Sequence, residues 1–253
     1  MKPFEALGHI DADWPAPAHV HAGSTTRTGG FSPAPFDGLN LGYGYTDDPE
    51  MVRRNRQWLA QGLGLADDPF WLRQQHGSVA VWADAGPRDP CADASFTGRP
   101  GVACVVLTAD CMPVLFCDRA GSRVAVAHAG WRGLAGGVLE SALEGLGRPP
   151  EEILVWLGPA IGPECFEVGP EVRKAFEAVD PGAGAAFRPG AGDRAFADLF
   201  ELARRRLALR GVDAVYGGGL CTYSHPNRFF SYRRDGRRSG RMASLIWMDA
   251  LDV

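Results

Sequence analysis

Three residues have side chains that together suit a soft divalent ion: His76 in Gln75-His-Gly77, Cys111 in Thr108-Ala-Asp-Cys-Met-Pro113, and His128 in His128-Ala-Gly-Trp-Arg-Gly133. A thiolate and two imidazoles are competent ligands for Zn²⁺ and leave the fourth tetrahedral position for water or substrate, the pattern of a catalytic site. The separations, 35 residues from His76 to Cys111 and 17 from Cys111 to His128, are not those of a zinc finger. Spacing alone therefore leaves open a turn thiol and two histidines satisfied by backbone. The same residues support a different chemistry, with Cys111 as nucleophile and His128 as its base, in a thiol hydrolase acting on amide or peptide substrates. One Cys and two His also resemble part of a blue-copper shell, which makes copper the other candidate ion. Multicopper chemistry, however, needs more histidines than the six present. A zinc-stabilised binding module is the non-enzymatic alternative. The strings HExxH, HxE with PCxxC, and GxSxG are absent, so those reaction classes lose their usual support.

Around these residues stand charged groups suited to an anionic substrate. Asp110, next to Cys111, is a turn former or a general acid/base. Arginine pairs bidentately with phosphate, which makes Arg27 in the Gly-flanked loop Thr25-Thr-Arg-Thr-Gly-Gly30, and Arg233 and Arg241 in the basic run near the C-terminus, candidate phosphate contacts. Arg132 is divided between substrate contact and a structural role at a helix start. Asn40 and Glu164 read first as backbone caps, with Asn40 kept among the candidate substrate contacts. Phe229 and Phe230 could stack on a flat base but fit core packing better.

The chain that positions them has 253 residues, 45% hydrophobic and 22% charged, with a formal charge of −4. That is enough for a full core and gives no electrostatic case for nucleic acid as the main partner. Lysine occurs only at Lys2 and Lys174, so Schiff-base and Walker-type chemistry have little to work with. The six cysteines show no CxxC pairing. Without a signal peptide they read as reduced thiols in a cytoplasmic protein. No apolar run reaches the roughly 20 residues of a membrane span.

The local patterns place the candidates at the ends of strands, where loops on a rigid scaffold build sites. An irregular lead-in covers the first 18 residues, and a short strand from His19 runs into a Gly-rich loop. Asp48-Pro49 caps a helix through about Leu63. Strand patterns follow at 70–74, 79–82, 102–107, 113–117, 123–127 and 152–157, with loop at 86–90. Helices are expected from Trp131 to Leu146, from Pro170 to Val179, and over about 195–210, where Phe196, Leu199, Phe200, Ala203 and Leu207 recur at helical spacing. Residues 182–192 are the most loop-like insertion and the candidate for mobility. A last strand runs from Met242 to Met248. Strands outnumber helices and only some alternate with them, which predicts one α+β domain over 1–253 with mixed sheets flanked by helices.

Taken together, Gln75-His-Gly77, Thr108-Ala-Asp-Cys-Met-Pro113, His128-Ala-Gly-Trp-Arg-Gly133, Gly158-Pro-Ala-Ile-Gly-Pro163, Phe230-Ser-Tyr-Arg-Arg-Asp-Gly236 and Gly240-Arg-Met-Ala243 resemble the YfiH family. This is the laccase-domain or polyphenol oxidase family, also called purine nucleoside phosphorylase and peptidoglycan editing factor. The matches run in order from about residue 20 to 248. The resemblance implies that His76, Cys111 and His128 bind one catalytic zinc. It also implies phosphorolysis of adenosine, inosine, guanosine and methylthioadenosine to base and sugar 1-phosphate, with adenosine deamination at the same site. Its partners would be purine nucleosides and phosphate, with no nucleic acid or membrane, in a monomer or weak homo-oligomer. Ala94-Ser-Phe-Thr97 departs from the family pattern, which leaves the role of that stretch, read as a loop, unassigned.

Overall fold

The computed structural model describes residues 3–43, 47–85 and 88–250. Its centre is the strand Met112–Asp118, buried at all seven positions. Successive strand side chains point to opposite faces, so Val114 and Phe116 join one apolar cluster while Leu115 and Cys117 join another. The neighbouring strand Val124–Ala129 divides in the same way, with Ala125 and Ala127 on the first side and Val124 and Val126 on the second. A sheet apolar on both faces needs a layer on each.

This sheet has six strands in the order Val215–Gly217, Ile153–Leu157, Met112–Asp118, Val124–Ala129, Ala94–Thr97, Ala80–Trp82. It is mixed: the pairs at its two ends are parallel and the three inner pairs antiparallel. One face is covered by the helices Trp131–Ala135, Val138–Leu146, Pro170–Glu177 and Leu199–Ala208, with Leu134, Leu139, Val172, Phe176 and Leu202 reaching the shared core. A small antiparallel sheet of Phe187–Pro189, Ala195–Ala197 and Glu167–Val168 lies on the same side. The other face packs on an antiparallel four-stranded sheet in the order Ile10–Asp11, Val20–Ser24, Met242–Met248, Cys104–Thr108. The outer face of that sheet, through Val105, Leu245 and Trp247, receives Leu59 and Leu63 from the helix Pro49–Gly62 and the loop that follows it. The layers therefore run helix, sheet, sheet, helices, as the α+β expectation requires. Among the described residues no helix is long and apolar enough to cross a membrane.

Six local expectations change. The first 18 residues, read as an irregular lead-in, hold the 3₁₀ turn Glu5–Leu7 and the strand Ile10–Asp11. The 70–74 run makes only isolated bridges, at Phe70 and Arg73. There the Gln74 amide replaces the ladder, donating from Nε2 to Leu107 O at 2.8 Å and accepting Leu107 N–H at 2.7 Å. Ala94–Thr97, read as a loop, is a fully buried strand. The helix expected over 131–146 breaks at Gly136-Gly137, where Gly137 has φ 95°, a left-handed backbone that suits glycine. The helix expected over about 195–210 begins at Leu199, because the Asp198 side chain caps it by accepting from the Phe200 and Glu201 N–H groups. Phe196 instead belongs to a strand. Residues 182–192 hold part of the 3₁₀ turn Pro181–Ala186 and the strand Phe187–Pro189 rather than plain loop. Of the loop expected at 86–90, Gly86 and Pro87 lie outside the described residues.

Candidate metal centre

Antiparallel pairing brings the distant residues together. Met112–Asp118 pairs with Val124–Ala129 so that Met112 faces Ala129 and Pro113 faces His128, which sets Cys111 beside His128. Ala94–Thr97 pairs with the far edge of Val124–Ala129, with Ala94 facing Ala127. Asp93, just ahead of that strand, lies at the same end of the sheet and carries the loop that holds His76. The ligand atoms of His76, Cys111 and His128 all lie within 4.8 Å of one another. The two imidazole rings meet nearly edge to face, with centroids 4.8 Å apart.

Asp93 fixes two of the three. Its buried carboxylate accepts from the backbone N–H groups of Gln75 at 3.0 Å, His76 at 2.9 Å and Gly77 at 2.8 Å. It also lies 2.8 Å from His128 Nδ1, while the His128 backbone N–H donates to Asp93 O at 2.7 Å. A carboxylate on Nδ1 sets the tautomer and leaves Nε2 for the cluster, the arrangement that orients imidazoles on metals. Sequence reading passed over Asp93; the available signal was one acid among the small residues Cys91-Ala-Asp-Ala-Ser95.

The backbone is strained where the ligands are presented. His76 has φ 60° and Asp110 has φ 91°, two of the three described non-glycine residues with positive φ. Such conformations cost about 1–3 kcal/mol each and persist where the surroundings over-determine them. For His76 the surroundings are the Asp93 carboxylate. For Asp110 they are Thr222 Oγ1, donating to Oδ1 at 2.6 Å, the Arg233 N–H, donating to Oδ2 at 2.6 Å, and the Ile161 N–H, donating to the Asp110 carbonyl at 2.9 Å. Asp110 thus braces the turn that aims Cys111. Gly130 completes the fit, since a Cβ there would sit 2.9 Å from Cys111 Sγ and 3.2 Å from a His76 ring carbon.

The cluster is electrostatically matched. Burial opposes ionisation of Cys111, but the His128 charge and hydrogen bonds from His128 and His76 outweigh it and bring the thiol down to about 6. Burial likewise disfavours a charged His128, yet the Cys111 thiolate and the Asp93 carboxylate raise it to about 9. Asp93 is held below the usual carboxylate range: burial pushes it up, and the His128 contact and the loop N–H groups more than offset that. One soft thiolate and two imidazoles, one of them set by a carboxylate, fit the preferences of zinc.

The cluster opens on a cavity of about 490 Å³, a volume in the range of small-molecule sites. Arg233 and Arg241 line it with the three cluster residues and Asp110, and Leu72, Leu107, Ile161, Phe166, Tyr43 and Tyr232 supply apolar and aromatic surface. Arg233 also donates from Nη1 to Glu167 O and packs over the Phe166 ring. Asn40 is buried and accepts the Arg241 N–H at 2.9 Å, so it places Arg241 rather than lining the cavity. Arg27 lies in a separate groove with Asp37 and Pro226, donates to Pro226 O and packs on Phe230. Arg132 lies over the Trp131 ring and is not among the lining residues. Glu164 pairs with Arg188, and Phe229 and Phe230 are buried in the core.

Comparison with known proteins follows the same outline. The family model described as multi-copper polyphenol oxidoreductase laccase matches residues 21–249. A Pseudomonas aeruginosa protein named purine nucleoside phosphorylase is 57% identical over 240 residues, 94% of this chain and 98% of its own. The Escherichia coli purine nucleoside phosphorylase YfiH is 52% identical over 240 residues, with the same coverage. The crystal structure of a Neisseria meningitidis protein superposes with a TM-score of 0.92 at 51% identity, covering 96% of this chain and 99% of that one. YlmD from Geobacillus stearothermophilus superposes at 0.85 with 33% identity, covering 92% and 93%. A family model spanning nearly all of the chain, and YfiH relatives about half identical to it over almost their whole length, make this chain a member of the laccase-domain (YfiH) family.

Proposed function

We propose that the chain is a zinc-dependent purine nucleoside phosphorylase that also deaminates adenosine at the same site. The observation that carries this reading is one cavity lined by a Cys/His₂ cluster, two arginines and an apolar wall with aromatic rings. The names of its relatives support a phosphorylase over other uses of such a cavity. His76, Cys111 and His128 would hold the metal, which when bound supplies Lewis acidity at the position the protein leaves open.

The chain's own residues do the rest. Phosphorolysis joins a phosphate oxygen to the anomeric carbon as the bond to the purine nitrogen breaks and its electron pair leaves with the base. Arg233 and Arg241 bind and orient the phosphate, since a guanidinium pairs with its oxygens in a fixed fork. Phe166, Tyr43 and Tyr232 pack on the purine and keep water from the breaking bond. Deamination at the same site joins a water oxygen to the purine carbon that bears the amino group; the bond from that carbon to the amino nitrogen breaks and ammonia leaves, giving inosine. Asp110 acts by bracing Cys111, because both of its carboxylate oxygens already accept hydrogen bonds. Substrates of this kind, and thiols read as reduced, go with a cytoplasmic setting.

The test is incubation of zinc-loaded protein with adenosine, with and without phosphate, and identification of products by mass. Phosphate-dependent adenine and ribose 1-phosphate, lost in Cys111→Ala, are the expected result, with inosine formed when phosphate is omitted. No turnover of any purine nucleoside by metal-replete protein would overturn the proposal. A second reading rests on the chain Cys111, His128, Asp93, which in metal-free protein has the layout of a thiol nucleophile, its base and the carboxylate that orients the base. It gives a thiol hydrolase acting on cell-wall amides. Stoichiometric, tightly held zinc would remove it, because a ligated thiolate is not a free nucleophile.

A further inference from the structure

Outside the metal cluster, two thiols share one hydroxyl. Ser224 Oγ donates to Cys221 Sγ at 3.3 Å and lies 3.4 Å from Cys165 Sγ. The Gly162 N–H also points at Cys221 Sγ, at 3.2 Å, and a Cβ on Gly162 would sit 3.2 Å from that sulfur, so the close approach depends on glycine. The turn that starts at Gly162 returns Cys165 over it, with the Cys165 N–H donating to Gly162 O at 3.0 Å. Both thiols are half-buried, whereas Cys104 and Cys117 are fully enclosed and burial pushes each of those up to about 12.

The pair is chemically unequal. Burial opposes ionisation of Cys221, but the Ser224 hydroxyl and the N–H groups of Gly162, Ser224 and Tyr223 outweigh it and hold the thiol below its ordinary range. Cys165 is raised by burial and by the Cys221 sulfur beside it. A thiolate supported by donors, with a second thiol within reach, is the arrangement of a reactive cysteine and its resolving partner. Neither residue is used in the proposed nucleoside chemistry or lines its cavity, but both are close in the chain to residues that shape it. Ile161 and Phe166 of the Cys165 segment line it, and Thr222, next to Cys221, holds Asp110.

We propose that Cys221 and Cys165 form a reversible, peroxide-responsive disulfide site. The Cys221 thiolate attacks one oxygen of hydrogen peroxide; the S–O bond forms as O–O breaks, and the departing hydroxide takes up a proton to become water. Cys165 sulfur then attacks the resulting sulfenic acid; S–S forms, S–O breaks, and the leaving hydroxide takes the Cys165 proton as a second water. Two thiols lose two electrons and one peroxide is reduced to two waters. A dithiol reductant restores the starting state by exchange. The crosslink ties the 161–166 turn, which lines the cavity through Ile161 and Phe166, to the 220–224 segment, whose Thr222 holds Asp110.

The test is peroxide treatment of the reduced, zinc-loaded chain, followed by alkylation and non-reducing peptide mapping. The expected product is a linked pair of peptides containing Cys165 and Cys221, lighter by two hydrogens than the separate peptides and split by dithiothreitol. In Cys165→Ser the reaction stops at a Cys221 sulfenic acid that dimedone traps, and in Cys221→Ser the Cys165 thiol stays free at the same dose. The wild-type map decides the matter even if a variant folds poorly. Recovery of both cysteines as free thiols, at a peroxide dose that oxidises the exposed Cys91, would overturn the site. So would a Cys221 disulfide to any other cysteine.

Discussion

Asp93 does more for the cluster than any ligand does for itself, because one buried carboxylate orients His128 and gathers the three N–H groups that hold His76 in its left-handed backbone. Asp93→Asn keeps the shape but removes the charge. It is expected to weaken zinc binding by roughly ten- to a hundredfold, the usual cost of losing an orienting partner behind a ligand, in a competition titration against a chromophoric chelator. Unchanged affinity would mean that Asp93 is only a loop anchor. Cys111 supplies a second prediction. Its pKa is lowered to about 6 in the metal-free chain, so the thiolate is present above that pH and lost below it. Alkylation of metal-free protein at Cys111 should therefore rise through about pH 6 and be blocked by zinc, whereas a midpoint near the ordinary thiol value of about 8.5 contradicts the pairing with His128. Residue types alone made His76, Cys111 and His128 visible as a candidate set. Asp93 was hidden because its role depends on which strand neighbours Val124–Ala129, and nothing local to Asp93 records that pairing.

At the scale of elements, two sheet strands and three loops converge because antiparallel register places the start of Met112–Asp118 beside the end of Val124–Ala129. Gly130, directly after the second strand, is the contact that lets the loops close on one another. Gly130→Ala puts a methyl 2.9 Å from Cys111 Sγ. It is expected to lower zinc affinity by at least tenfold while leaving the far-ultraviolet circular dichroism unchanged; full affinity in that variant would refute tight closure. Elements with strong end signals were legible in the sequence: Asp48-Pro49 opens a helix and Met242–Met248 is a strand over its expected range. The errors fell where a longer-range partner overrode local pattern. Gln74 satisfied a sheet edge with its side chain, and Gly137 broke a helix that periodicity would continue. Asp198 capped a helix that begins later than its apolar spacing suggests.

Across the whole molecule, the fold sorts the arginines that the sequence grouped together. Arg233 and Arg241 reach the cavity of the His76, Cys111 and His128 cluster, Arg27 lies in another groove, and Arg132 packs on its neighbour. Arg233→Ala should raise the KM for phosphate by roughly tenfold or more, the scale of one charged hydrogen bond, and Arg27→Ala should leave it within about twofold. A reversed order would place the phosphate elsewhere. The sequence offered Arg27 beside Arg233 and Arg241 as phosphate contacts, and Arg132 with a structural alternative, because proximity to the cluster is set by the stacking of the two large sheets, which no short motif encodes. The most direct test of the account is the metal content of protein purified without added metal, compared with Cys111→Ser of matched circular dichroism. The account predicts one zinc per wild-type chain and none in the variant. Metal-free wild type that turns over nucleoside, or a variant that keeps its zinc, would contradict it.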